Sequence, residues 1–172
     1  KEILELIYTH FDADIINMSL GLLDGKATEI IDVCNRLLEK SIIISAASNS
    51  GMLSIPCYLP GVIGVVSDAS LRYSDEYVWI DSEAIQMAAY GEFQRVAWNG
   101  PEYFFSKGNS FACANATGIV AQAVKECGKN YQGWLIEHSK RDVIRFVEKE
   151  KYAIELPYSV RKVVIFPFSK ET

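Results

Sequence analysis

Ser110 stands in the run Gly108-Asn109-Ser110-Phe111-Ala112-Cys113-Ala114-Asn115-Ala116-Thr117-Gly118, where small residues dominate. That density of Ala and Gly predicts a buried helix over 108–125 whose neighbours approach closely. A serine at the start of such a helix has two uses. Unpaired N–H groups and the helix dipole favour negative charge on an attacking or tetrahedral oxygen there, and a serine also caps a helix. Used as a nucleophile, it needs a base to take its proton and a carboxylate to orient that base. The chain has two histidines, His10 and His138, while Asp68 and Asp75 are acids able to orient a base. His10 closes the first predicted helix and so approaches the sheet from its N-terminal edge, whereas parallel-sheet sites collect at the C-terminal ends of strands. His138, in Glu137-His138-Ser139-Lys140, reads as a turn residue that caps or meets solvent. Asn49 lies in the turn Ala46-Ala47-Ser48-Asn49-Ser50-Gly51 at the end of an apolar run, where asparagine commonly caps backbone groups. Cys34, Cys57, Cys113 and Cys127 show no CxxC pair and no Cys/His cluster, so no metal and no cofactor is expected. They read as buried free thiols, which leans toward a reducing, cytoplasmic compartment.

The elements that position these residues alternate in type. Ile3, Leu4, Ile7 and Phe11 fall at helical spacing over 2–11, and the apolar run 13–18 follows as a strand ending in Ser19-Leu20-Gly21. Ile30, Ile31, Cys34, Leu37 and Leu38 mark a second helix, and 41–47 a second strand, apolar on both faces. Residues 62–66 repeat that strand pattern. Strands of this kind belong to a mostly parallel sheet covered by helices on both faces, so the fold class is three-layer α/β. From 68 to 107 shorter polar runs predict strands and long loops. There Tyr103, Phe104 and Phe105 either line a peptide cleft or pack in the core, the core being expected for at least some of them. Tyr8, Trp79, Trp98 and Trp134 read as structural. A polar amphipathic helix over 140–150 and an apolar strand at Val163–Phe168, which Pro167 places at an edge or a terminus, complete the pattern. With 172 residues, 49% of them hydrophobic, and no repeat or low-complexity tract, residues 1–172 are expected to form one domain. The net charge of -5 without a Lys/Arg cluster argues against nucleic acid, and no apolar run is long enough to cross a membrane.

Three stretches together resemble the C-terminal half of a subtilisin-like serine peptidase, a subtilase. Ala13-Asp14-Ile15-Ile16-Asn17-Met18-Ser19-Leu20-Gly21 is similar to the strand whose end forms a wall for the substrate chain. Residues 42–51, followed by Ile55-Pro56 and Leu59-Pro60-Gly61-Val62, are similar to the strand and turn whose Asn donates to the developing oxyanion. The run 108–118 resembles the Gly-Thr-Ser-x-Ala-x-Pro-x-x-x-Gly segment around the nucleophile. Order and spacing agree across all three. The resemblance implies peptide-bond hydrolysis with Ser110 as nucleophile and Asn49 as oxyanion donor.

Several positions depart from the family pattern. Ser48 stands where Gly is usual, Asn109 replaces Thr, Ala114 replaces Pro, and Asn115 takes a position that is often His. The segments bearing the family's catalytic Asp and His are not among those matched. The expectation is therefore a partial domain, inactive as an isolated chain, that takes a peptide or protein substrate once a complementing segment or chain completes it. The alternative is a pseudopeptidase that binds peptides or proteins. Half of a sheet also implies bare edges, hence self-association or a partner.

Overall fold

The strand Ile42–Ala46 (β2) shows why this sheet is covered twice. Successive side chains of a strand point to opposite faces, and here each set includes buried apolar residues. Ile44 and Ala46 enter a core with Ala112, Cys113, Ala116 and Val120. Ile43 enters a second core with Leu4, Val33, Cys34 and Leu37. The structure, a computed structural model, describes residues 1–23, 28–50, 52–80, 82, 84–100 and 102–140.

Before β2 come the helix Glu2–His10 (α1), the strand Ile15–Met18 (β1) and the helix Thr28–Leu38 (α2); Ile63–Ser67 (β3) follows it. Tyr77–Trp79 (β4) and Met87–Ala89 (β5) complete a five-stranded sheet of order β1-β2-β3-β5-β4. β1, β2, β3 and β5 run parallel, and β4 is antiparallel to β5. Gln94–Ala97 (β6) and Tyr103–Ser106 (β7) form a separate antiparallel ribbon. The long helix Asn109–Cys127 (α3) crosses one face of the sheet, and a 3-10 turn, Gly128–Asn130, leads into Tyr131–His138 (α4). Helices on both faces of a mostly parallel sheet are the architecture the apolar strands predict.

The two edges of the sheet differ. At β4 the backbone N–H of Lys140 bonds the carbonyl of Tyr77 at 3.0 Å, and the N–H of Trp79 bonds Ser139 Oγ at 2.8 Å. That edge is closed by the chain after α4. On the outer side of β1 no strand pairs, among the described residues.

Three sequence expectations are corrected. Tyr103, Phe104 and Phe105 are 58%, 40% and 67% exposed, so none of them joins the core; β7 belongs to a ribbon too thin to bury a face. Trp98 is exposed as well and meets Phe104 edge to face, with centroids 4.9 Å apart. Cys127 is exposed at the end of α3, while Cys34, Cys57 and Cys113 are buried free thiols. α4 was not expected from the pattern because it buries a single side chain, Leu135. The helix expected at 140–150 and the strand at Val163–Phe168 fall outside the described residues. No described helix is long and apolar enough to cross a membrane.

Candidate active site

Gly108 opens α3 with φ at +143°, a backbone state that favours glycine. Its N–H bonds the carbonyl of Gly91, just past β5, at 2.8 Å. One residue on, the Asn109 side chain donates from Nδ2 to Ala47 O at 3.0 Å and accepts at Oδ1 from Ser67 N at 2.8 Å. Ser110 Oγ donates to the carbonyl of Ser19 at 3.1 Å, and Asn115 Nδ2 donates to Tyr90 O at 2.8 Å. Ser19, Ala47, Ser67 and Tyr90 lie at the C-terminal ends of β1, β2, β3 and β5 in turn. The first two turns of α3 are thus bonded to every parallel strand of the sheet.

Ser110 is the second residue of α3 and exposed. Its hydroxyl turns toward β1, not back to the helix amides, so it does not cap α3. Gly108 supplies no capping side chain, and the first turn of α3 holds no acidic residue. The positive end of the helix dipole is therefore uncompensated beside Ser110. Behind Ser110 a polar network ties the helix to β1. Asn17 Nδ2 donates to Thr117 Oγ1 at 2.7 Å and to Cys113 O at 3.2 Å. Ser19 Oγ is within bonding reach of Asn17 Oδ1 (2.8 Å) and of Ser110 O (3.1 Å).

Asn49 lies three residues beyond β2, exposed, with its side-chain amide making no hydrogen bond among the described residues. A Cβ placed on Gly108 would stand 3.7 Å from Asn49 Nδ2. The amide therefore adjoins the residue two before Ser110, with a donor free. Among the described residues it caps no backbone group, the ordinary task of a turn asparagine.

The other candidates are elsewhere. His138 stacks on Trp134 with centroids 4.1 Å apart and shares Nδ1 with Trp134 O at 2.9 Å. Its neighbours Ser139 and Lys140 fasten to β4, four strand spacings from β1, or about 19 Å from the Ser19 end of the sheet. His10 pairs with Thr9 Oγ1 at 2.6 Å and precedes β1, on the N-terminal edge. Asp68 Oδ1 accepts from Ser70 N and Ser70 Oγ, a local turn, and Asp75 is exposed before β4. Cys113, one helical turn past Ser110, is not a rival nucleophile: burial pushes its thiol up to about 11, so it stays protonated at neutral pH. No metal-binding cluster of His, Cys, Asp or Glu occurs among the described residues.

Residues 1–145 match the sequence pattern of the subtilase family. This chain belongs to the subtilase family. No curated protein matches it. Among solved structures, it is similar to sphericase at 24% identity and a TM-score of 0.57, over 72% of this chain and 47% of that one. A cold-adapted subtilisin-like serine proteinase is 21% identical with a TM-score of 0.59, covering 78% of this chain and 51% of that one. The prenylagaramide maturation protease PagA is 21% identical with a TM-score of 0.55, over 72% and 47% respectively. These likenesses give the fold, and the chain spans about half the length of each. Residues that the sequence reading passed over are Asn17, Ser19 and Asn109. Asn109 stood out there only as a departure from the subtilase pattern.

Proposed function

We propose that this subtilase chain is the nucleophile-bearing part of a serine peptidase, hydrolysing peptide bonds through Ser110 with Asn49 as oxyanion donor. The observation that carries the reading is the exposed Ser110 hydroxyl at a helix N-terminus with no acidic residue in its first turn, near an asparagine amide that adjoins Gly108 and has no hydrogen-bond partner among the described residues. In the reaction, Ser110 Oγ exchanges its bond to Ser19 O for one to a base and attacks the scissile carbonyl. The developing oxyanion takes hydrogen bonds from Asn49 Nδ2 and from backbone N–H at the start of α3, donors that act best about 2.7–3.1 Å away. The base takes the proton and returns it to the leaving amine, and a water, deprotonated by the same base, then cleaves the acyl ester on Ser110, releasing the acid and restoring the hydroxyl.

That base comes from outside this set of residues. His10 and His138 are the chain's two histidines; His10 contacts Thr9 ahead of β1, and His138 contacts Trp134 at the end of α4. A complementing segment or chain supplies the histidine and aspartate, and a peptide or protein is the substrate. The placement of both histidines also favours a second reading, in which the chain binds an extended peptide without cleaving it. Main-chain pairing along the strand end at Ser19–Gly21 would hold such a peptide.

Fluorophosphonate labelling of the isolated chain beside Ser110→Ala separates these cases. The expected result is labelling no faster than that of a simple alcohol, because loss of a triad member removes many powers of ten in rate. Adding a polypeptide with the family's Asp and His segments is expected to produce Ser110-dependent labelling. Rapid labelling without it would place a base within this chain, and none after its addition would favour the peptide-binding reading.

A further inference from the structure

Paired strands β2 and β3 stay in register up to Ala46 opposite Val65, and Ala47 N adds one more rung to Val65 O at 2.8 Å. In a parallel ladder a residue that donates to one partner accepts from the residue two further along. The next rung would therefore run from Ser67 N to Ala47 O. Both groups are engaged, but not with each other. Ser67 N donates to Asn109 Oδ1 at 2.8 Å, and Ala47 O accepts from Asn109 Nδ2 at 3.0 Å. The amide orientation is fixed, since a backbone N–H only donates and a backbone carbonyl only accepts.

We propose that Asn109 is a positioning residue: its side-chain amide is inserted as the missing rung of the β2–β3 ladder, and it thereby sets Asn49 relative to Ser110. This rests on the roles given above to those two residues. Asn49 follows Ala47 by two residues and Ser110 follows Asn109 directly, so a single side chain joins the two supports. Both sides of the amide are used at once. A direct rung would draw Ala47 toward Ser67, and the turn bearing Asn49 would follow it away from α3. The threonine usual at this position in the family has one hydroxyl in place of a separate donor and acceptor, so it would join the strands at a shorter spacing.

Nuclear magnetic resonance of the folded chain tests the assignment without any need for turnover. Wild type is expected to show a nuclear Overhauser contact between the Asn49 side-chain amide and Gly108, with the Ser67 amide protected from exchange. In Asn109→Leu the contact should vanish and Ser67 should exchange roughly tenfold faster, while the Val65 amide, deeper in the ladder, keeps its protection. Asn109→Asp covers the case in which the leucine variant fails to fold. Its carboxylate still accepts from Ser67 N, which stays protected, but it repels Ala47 O, so the Asn49–Gly108 contact is expected to be lost. Retention of that contact in either folded variant would overturn the proposal. The roles of Ser110 and Asn49 are read separately, by labelling of the completed protein, so their failure leaves a distinct signature.

Discussion

At the scale of single residues, the start of α3 sets a hydroxyl, two amides and a thiol close together and gives each a different state. Ser110 is exposed and held by a carbonyl, the Asn49 amide is unengaged among the described residues, the Asn109 amide is doubly engaged, and Cys113 is buried and protonated. Thiol chemistry should report this directly. In the native protein a thiol reagent is expected to modify Cys127 alone, with Cys34, Cys57 and Cys113 reacting only after denaturation; absorbance titration with a disulfide reagent counts them. Burial raises both Cys57 and Cys113 from the ordinary 9.0 to about 11. Above pH 9 an unfolded chain loses these protons while the folded one keeps them, so fewer protons are bound in the unfolded state and stability falls as pH rises. Thermal midpoints should accordingly be level from pH 7 to about 8.5 and decline from 9 toward 11, a decline reduced in Cys57→Ala. The helix that carries Ser110 was legible from sequence because its small-residue composition is unusual. Asn109 was not, since a ladder insertion depends on which strands stop where, and nothing local in 108–118 records that.

Elements were legible in proportion to how much they bury. β1, β2 and β3 carry apolar side chains toward two cores and were readable as strands within a residue or two. The three- and four-residue strands from β4 to β7 blur into their loops, and α4 offers only Leu135 as a pattern. That one side chain is completely buried in the α3 core. Leu135→Ala is expected to cost about 2–5 kcal/mol, visible as a lower denaturant midpoint, while Ile136→Ala on the exposed side should change little. At the junction of β5 and α3 the constraint is backbone against backbone. A Cβ on Gly91 would meet Ser67 Oγ at 2.5 Å and the Gly108 carbonyl at 2.8 Å. Gly91→Ala should therefore destabilise by roughly 1–3 kcal/mol through overpacking, measured by urea denaturation, and should also slow labelling of Ser110 in the completed protein by displacing Gly108.

For the whole molecule the asymmetry of the sheet matters most. One edge is closed by Ser139 and Lys140, while the outer side of β1, which exposed Phe11 and Leu20 flank in the chain, is unpaired among the described residues. An open strand edge with apolar neighbours promotes pairing with another chain. Sedimentation of the isolated protein is expected to show self-association that Leu20→Lys, at an exposed position just past β1, or a complementing segment suppresses; a strictly monomeric species across concentrations would count against it. The bonds that hold the start of α3 also have a consequence in time. They link residues 91, 62, 42 and 25 positions apart in the chain. Long loops close late and at an entropic cost that local structure does not offset. An unfinished chain, or one with β1 and β2 unregistered, therefore holds α3 without the contacts that orient its first turn. In kinetic refolding, substitution of Asn109 should accelerate unfolding and leave the folding rate nearly untouched, the signature of contacts made after the main barrier. The hydrolytic centre proposed around Ser110 would thus come together only at the end of folding, with little opportunity to cut its own half-made neighbours.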